Sequence, residues 1–529
     1  MHEYKDVLNH DVSLCQPVAV GFQIKAQFGA SHLNFSSSEF LATLFNVQFV
    51  SRYTSTMNST ITATDAVSYL LKGFGRLFYI VNPKSTSPGT LQEVPDYIAE
   101  AVPFFVMTIV MEFLTLLFSN KGESLKKKRT WYANRFSIND AVGSIGAGML
   151  QQLSQFFIYN LTLASYLYVY NNFRLVDLDP KNIYVWITGF LIVDLGYYTF
   201  HRGAHEINLF WATHVVHHSS EYYNQTTALR QSIFQSYCSW IFDLPAALFL
   251  PPSLFATHKQ FNTLFQYWIH TEMIGNLGPL EYVINTPSAH RVHHGRNPYC
   301  IDKNYAGTLI IWDILFGTFD LERVPPAVKA GSSDVEPVAY GLTHPINTFD
   351  PFTIQFHHLR HVLTTCWATS GFSNKLKVLF YGPGWHEGTP RTGLLEEIPL
   401  IAKDVPPEKH DPTVPKAVNI YVVSHFALLI VINSILLDMK HVLEFKYASI
   451  ASAFVFWTLT SFGWIFDHKK FAVEREFLRT MIVSVVLSWA KLNNLTSDVA
   501  NYLIAFHVAS GLWLLATQRN YTHIKGKKD

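Results

Sequence analysis

Residues 211–224 read WATHVVHHSSEYYN and residues 288–300 read SAHRVHHGRNPYC, so two separate stretches each carry three histidines at the spacing i, i+3, i+4. On an α-helix that spacing sets three imidazoles on one face, within about 6 Å of axial rise. Upstream, HRGAHE at 201–206 adds His201 and His205 one turn apart, and His270 stands between the two triplets. A single histidine on an apolar face is ordinarily a hydrogen-bonded core residue. Eight in three clusters, His201, His205, His214, His217, His218, His290, His293 and His294, are not accounted for that way. Imidazoles gathered so closely either repel when charged or leave nitrogens unpaired when buried, whereas a metal engages one nitrogen of each and favours the neutral ring. With His270 the donors exceed the roughly four to six that one ion takes, which points to a dinuclear centre.

All-nitrogen ligation suits iron, zinc or copper, and the absence of paired thiolates argues against a structural zinc knuckle. A zinc pair at a membrane surface would serve a hydrolase. An iron pair can activate dioxygen against a hydrocarbon whose C–H bonds no side-chain acid or base can break, and a lipid setting favours that choice. Metal-bound histidines usually donate their second N–H to a carboxylate or carbonyl. Asp194, seven residues before His201 on the same helical face and inside an apolar stretch, is the first such partner expected. Glu206, Asp243, Glu272 and Asp313 share the argument more weakly, Glu221 and Asp302 read as solvated loop residues, and Glu112 receives no role.

The elements that must position these residues follow from composition. The chain has 529 residues, of which 49% are apolar and only 15% charged, with a mean hydropathy of +0.13; this balance is that of a membrane protein. A formal net charge of +1 excludes the strongly basic face that a nucleic-acid partner calls for. Four scattered cysteines, Cys15, Cys238, Cys300 and Cys366, form no CxxC pair and fit a reduced, cytosol-facing site. The opening MHEYKDVLNH lacks the basic start and apolar core of a cleavable signal peptide.

Hydropathy predicts an interfacial helix at 65–80 and a first span at 103–119 ending at the basic run 121–130, which marks the cytoplasmic side. Alternation then sends 141–171 away from the cytosol and 184–200 back, with 233–250 leading out and 254–271 returning. That order gathers all nine histidines at one level. A polar stretch, 276–416, forms a cytosolic cap carrying the second triplet, and four apolar segments near 417–437, 448–466, 477–490 and 500–517 follow. The division expected is therefore an N-terminal extension (1–100), membrane helices with the first two histidine clusters (101–275), the cap (276–416), and C-terminal membrane helices with a basic tail (417–529). The fold class is an all-α integral membrane protein, a multi-span helical bundle with a cytosolic histidine-rich di-metal cap. Lys525 and Lys527 have the spacing of a dilysine retrieval signal for the endoplasmic reticulum, or are simply part of a basic tail. Of the sequons at Asn34, Asn58, Asn160, Asn224 and Asn494, the one at Asn224 falls on the cytosolic side and should be unmodified.

HxxxH, HxxHH and HxxHH in this order, over roughly 184–320, resemble the fatty acid hydroxylase/sterol desaturase superfamily of membrane di-iron enzymes. LGYYTFHRGAHEIN, HHSSEYYNQTTALRQS, QYWIHTE, TPSAHRVHHGRNPYCIDKNYAGTLIIWD, YGLTHPINTFDP and GPGW narrow the likeness to the alkylglycerol-cleaving branch of that superfamily, from about residue 74 onward. The resemblance implies two iron ions held by the eight box histidines and tetrahydrobiopterin as electron donor. It also implies dioxygen and an ether lipid as substrates, with a fatty aldehyde and a glycerol derivative as products. Glu206, directly after the first box, matches a position linked to pterin use, and with Asp194 it is expected to serve catalysis. Pterin binding leaves no motif of its own, and although Tyr222, Tyr223, Trp268 and Tyr299 could stack on a flat pterin, in a chain with 15% aromatics they read first as core or interface packing. Two other classes share parts of the pattern: a sterol or fatty acid hydroxylase or desaturase fed by a cytochrome, and a metal transporter, which the placement of every box on one side disfavours.

Overall fold

Cap residues and prolines fix where the helices around the histidines begin. In the computed structural model, which describes residues 63–119, 136–324, 335–403, 406–439, 443–496 and 498–518, the Ser137 side chain accepts from Asp140 N to open α3 (Ile138–Phe173). Asn182 caps α4 (Ile183–Glu206) in the same way. Thr286 followed by Pro287 starts α8 (Pro287–His293), and Asp350 followed by Pro351 starts α9 (Pro351–Ala368). In each case a side-chain oxygen satisfies a backbone N–H that the first turn leaves free. Ahead of these lie α1 (Ala63–Leu77) and α2 (Tyr97–Ser119). Between them come α5 (Asn208–His218), α6 (Gln235–Asp243) and α7 (Pro252–Trp268). The C-terminal helices are α10 (Lys416–Asp438), α11 (Phe445–Phe466), α12 (Ala472–Leu492) and α13 (Val499–Gln518). The described residues form no strand beyond one antiparallel bridge, Gly295 with Tyr340. The expected all-α class is what is found.

Among the described residues, five segments are long and apolar enough to cross a membrane: Leu91–Leu116, Ile183–Glu206, Lys416–Asp438, Phe445–Phe466 and Val499–Gln518. The chain is a multi-pass membrane protein. Four other expected crossings do not meet that standard, and each has a physical reason. Residues 235–248 break at Pro245 into a nine-residue α-helix and a five-residue 3-10 turn. The 17 residues of α7 rise only about 25 Å, short of a hydrocarbon core of about 30 Å. The 36 residues of α3 are long enough but too polar, and α12 carries Glu474, Arg475, Glu476, Arg479 and Lys491.

The expected alternation of direction is present all the same. At its start α3 meets the second histidine cluster, where Ser220 Oγ donates to Asp140 (2.7 Å). At its far end Tyr166 OH donates to Leu250 O (2.9 Å). Helices α4 and α7 then run back side by side: a Cβ on Gly189 would meet Leu250 and His258, and Asn262 Nδ2 reaches Asp194 (2.6 Å) two turns before His201. Helix α2 runs the same way, with Phe105 against Tyr267 at 4.0 Å between ring centroids. Its Glu112, given no role from sequence, is buried and accepts from Thr271 Oγ1 and Gln225 N. It ties α2 to the residues flanking His270. The C-terminal helices bury Val418, Val422, Leu429, Val455, Phe462 and Leu514 against Met149, Leu150 and Leu153 of α3; between membrane-spanning helices such contacts stabilise by van der Waals packing. The basic run 121–130, most of the N-terminal extension and the tail with Lys525 and Lys527 lie outside the described residues.

Candidate metal centre

Each histidine cluster sits at a helix end, where one residue fixes the ring direction. His201 and His205 occupy the last turns of α4, and extended backbone at Ile207 (φ −126°, ψ 115°) turns the chain into α5, which carries His214, His217 and His218. Asn208 pins that turn: its N–H donates to Tyr381 O (2.7 Å), its Nδ2 to Val378 O (2.9 Å) and its Oδ1 meets His358 Nε2 (2.7 Å). His270 follows α7 directly, and His290, His293 and His294 close α8. All nine rings are buried.

They fall into two groups, His201, His205, His214, His218 and His293 in one, and His217, His270, His290 and His294 in the other. Within each, one nitrogen per residue lies within 4.8 Å of all the rest, so each group could hold a metal ion. The triplets explain the split. Residues i and i+4 are about 40° apart around a helix and i+3 and i+4 about 100° apart. His214 and His218 therefore share one group while His217 turns to the other, and His290 and His294 share the second while His293 turns to the first. The Nε2 atoms of His201 and His214 are 2.9 Å apart, those of His214 and His218 3.2 Å, those of His217 and His270 3.2 Å, and those of His270 and His290 3.1 Å. Two nitrogens each about 2.1 Å from one ion stand roughly 3.0–3.4 Å apart. The Nε2 atoms of His205, His293 and His294 are buried with no hydrogen-bond partner among the described residues, as donors awaiting a metal would be.

The outer hydrogen bonds fix the tautomers. Nδ1 of His201 donates to Tyr305 O (2.7 Å), of His217 to Arg230 O (3.0 Å), of His270 to Gln266 O (2.7 Å) and of His293 to Lys303 O (2.9 Å). Nε2 then keeps its lone pair for a metal. Burial, with the neighbouring rings adding to it, holds His214, His218, His270, His290 and His294 well below the ordinary imidazole range. Burial likewise pulls His217 down to about 4 and His293 to about 3. These rings are neutral near pH 7 and able to ligate.

The acids differ from expectation. Asp194 meets no histidine: its carboxylate accepts from Thr308 N (2.8 Å), Leu309 N (2.9 Å), Trp312 Nε1 (2.9 Å) and Asn262 Nδ2 (2.6 Å). It is a positioning residue, fastening to α4 the loop whose Tyr305 carbonyl orients His201. Asp313 completes that loop by accepting from Tyr305 N and Ala306 N, both at 2.8 Å. Asp194→Ala removes the acceptor shared by four donors; of these Thr308 N is buried and left unpaired, which costs about 1–3 kcal/mol. Its melting temperature should fall, with metal released in step with unfolding and not before it. Asp302, read as a solvated loop residue, instead stands 3.8 Å from His205 Nδ1, and its carboxyl is pushed up to about 6 by burial and by Glu206. Glu206 lies outside the nitrogen groups: Oε1 accepts from Arg202 Nε (2.7 Å) and Oε2 from Arg391 Nη1 (2.9 Å). Glu221 accepts from His410 N, and Asp243 pairs with Lys259 at 2.7 Å.

The aromatic residues near the boxes are engaged. Tyr223 stacks between His270 and Tyr340, Trp268 packs on Phe78, Tyr222 OH donates to Asp411, and Tyr299 lies under the Arg323 guanidinium. The Asn224 side chain is buried and caps the turn at Gln225–Ala228, so its sequon is closed to a glycan.

Residues 186–318 match the family model for fatty acid hydroxylase, and residues 418–508 match that for the alkylglycerol monooxygenase C-terminal domain. The chain is 45% identical over 453 residues to the alkylglycerol monooxygenase of Homo sapiens, covering 85% of this chain and 96% of that protein. It is 44% identical over 447 residues to that of Xenopus tropicalis, covering 84% and 94%. Against that of Caenorhabditis elegans identity is 35% over 454 residues, covering 82% and 86%. No solved structure matches.

Proposed function

Since the chain belongs to the alkylglycerol monooxygenase family, and is thus an oxidoreductase of lipid substrates, we propose that it is a di-iron enzyme cleaving the ether bond of alkylglycerols and lyso-ether phospholipids. Dioxygen is the oxidant and tetrahydrobiopterin the electron donor, and the products are a fatty aldehyde and a glycerol derivative. The observation that carries the reading is the sorting of nine buried imidazoles, with no thiolate or carboxylate among them, into two groups of metal-ligand size.

Bound there, the metals supply activation of dioxygen, so that one oxygen atom enters the C–H bond beside the ether oxygen and the other leaves as water. The hydroxylated carbon is a hemiacetal, which falls apart to aldehyde and alcohol without further oxidation. The protein's own part is positional. Four backbone carbonyls hold His201, His217, His270 and His293 with Nε2 inward. Burial of the rings keeps water out and the donors neutral. Arg202 and Arg391 fix Glu206 at the edge of the site, within reach of the Asp302 and His205 pair, and there we place the pterin. The same reading sets the histidine end on the cytosolic face of the endoplasmic reticulum. In its favour are the basic run that follows α2 in sequence and the lysines at 525 and 527.

The test is the choice of donor. Membranes bearing the protein and given an alkylglycerol should release fatty aldehyde with tetrahydrobiopterin and not with a reduced cytochrome system. Equal release with the cytochrome would return the chain to the sterol and fatty acid oxidases. Glu206→Gln should weaken pterin-driven release while both metals stay bound, because its oxygens face Arg202 and Arg391; metal lost in that variant would put Glu206 in the coordination shell.

A further inference from the structure

Helix α9 divides its surface into three sectors. At about 100° per residue, Ile354, Gln355 and Val362 fall together and are buried. Thr353, Arg360, His361 and Thr364 form an exposed polar sector. Between the two, Phe352, Phe356, Leu359, Leu363 and Trp367 share an arc of about 80°. Of these Phe352, Leu363 and Trp367 are 56%, 57% and 87% exposed. A helix at the surface of a water-soluble domain needs only a buried face and a polar one, so an uncovered apolar third face calls for a neighbour that is not water. After the turn at Gly371 (φ +80°), a short helix, Phe372–Phe380, repeats the arrangement. Its Phe372, Leu376 and Phe380 stand exposed at i, i+4 and i+8 while Val378 is buried, and Lys375 and Lys377 flank the apolar arc on either side.

Three observations identify the neighbour. The face is continuous with a span: Phe352 meets Phe456 of α11 at 6.3 Å between ring centroids, and Phe456 stands about 15 Å of helix before the end of α11 at Phe466. The charge has one sign: between Asp350 and Glu387 the sequence holds no acidic residue, while Arg360, Lys375 and Lys377 are cations, which suits anionic lipid head groups. Lysines and indoles are also paired as at a membrane–water boundary. Lys375 Nζ lies 5.9 Å from the Trp367 ring centre and Lys377 Nζ 5.8 Å from that of Trp385. There an indole rests at head-group level, and a lysine lays its stem along apolar surface with the ammonium toward phosphate.

We propose that α9 and the helix Phe372–Phe380 are bedded, as an interfacial hairpin, in the anionic lipid leaflet at the histidine end. The hairpin does not cross the bilayer. Helix α9 runs alongside α5 in the opposite direction, Ile354 against Val215 and Val216, and His358 against Asn208 and Trp211, which keeps it level with the histidines. Asn208 joins both of its helices, through Val378 O, Tyr381 O and His358 Nε2, to the turn between His205 and His214. The leaflet thereby sets the height of the metal centre.

A photoreactive p-benzoylphenylalanine at Phe372 or at Phe380 tests this without touching a histidine or a cysteine. The full-length protein is irradiated in nanodiscs of equimolar phosphatidylcholine and phosphatidylserine, and thermal unfolding of each preparation reports folding. Both positions should yield lipid adducts, with phosphatidylserine favoured at least about fivefold, the ratio that roughly 1 kcal/mol for a nearby lysine gives. Replacing Lys375→Gln and Lys377→Gln together should bring that ratio close to one, and the same photoreactive residue at Thr364, in the polar sector, should give far less adduct. A crosslink to a second copy of the chain would make the face an interface between copies, and adducts no more abundant than at Thr364 would leave it facing water; either result overturns the proposal. Adducts in proportion to the two lipids supplied would overturn the anionic leaflet as the occupant.

Discussion

His270→Ala should hold about one iron per chain where the parent holds two, and should lose turnover by more than the ~10–100-fold that removal of an outer-shell partner costs a metal site. His270 belongs to no box, yet its Nε2 lies 3.2 Å from that of His217 and 3.1 Å from that of His290. Its Nδ1 is fixed by Gln266 O. His217, His290 and His294 would be left with three donors where there were four. The complementary variant, His218→Ala, leaves four donors in its own group and all four in His270's, so it should lose less iron than His270→Ala. Iron analysis on the two variants checks this; parental iron and turnover in His270→Ala would make it a packing histidine.

The second large effect lies away from the metals. Glu476 on α12 is fully buried and accepts from Arg479 Nη2 (2.6 Å) and Nε (2.7 Å), from Tyr421 OH (2.7 Å) and from Ser461 Oγ (2.6 Å). These bonds join α10, α11 and α12 in the C-terminal bundle. Removing one partner leaves a charge buried alone, so Arg479→Met should destabilise by about 3–5 kcal/mol. Replacing both Glu476 and Arg479 by residues of similar volume without charge should recover most of that loss, because the desolvation of both ions is then avoided. Thermal unfolding in detergent separates the two outcomes; a single variant as stable as the parent would mean that the pair is open to water.

The same knot shows where sequence and structure part. Residues 477–490 read as apolar enough to span, but the helix starts at Ala472 and takes in Glu474, Arg475 and Glu476, and the mutual neutralisation of Glu476 and Arg479 is what admits that charged start to the bundle. Pro245, conversely, lies in a stretch apolar enough to pass for a span, and its effect on length appears only once the helix breaks. The triplets at 214–218 and 290–294 were legible because helical angles alone distribute their rings, and His270 because alternation returned it to the same end. Their outer partners were not. His201, His217, His270 and His293 donate to backbone carbonyls, which every residue has and no sequence pattern marks. Asp194 drew the expectation of a histidine partner because an aspartate inside an apolar stretch calls for one strong partner, and it found three donors in a segment more than a hundred residues on and a fourth, Asn262, on α7. Arg391 is invisible for the same reason, standing 185 positions after the Glu206 it holds.

The central claim is that nine histidines build two metal positions. Iron analysis combined with iron-edge X-ray absorption on the full-length protein tests it most directly. The account predicts two iron ions per chain in shells dominated by imidazole nitrogen at about 2.0–2.3 Å, with no sulfur. One iron per fully loaded chain, or a shell in which carboxylate oxygen or sulfur replaces the histidines, would contradict it.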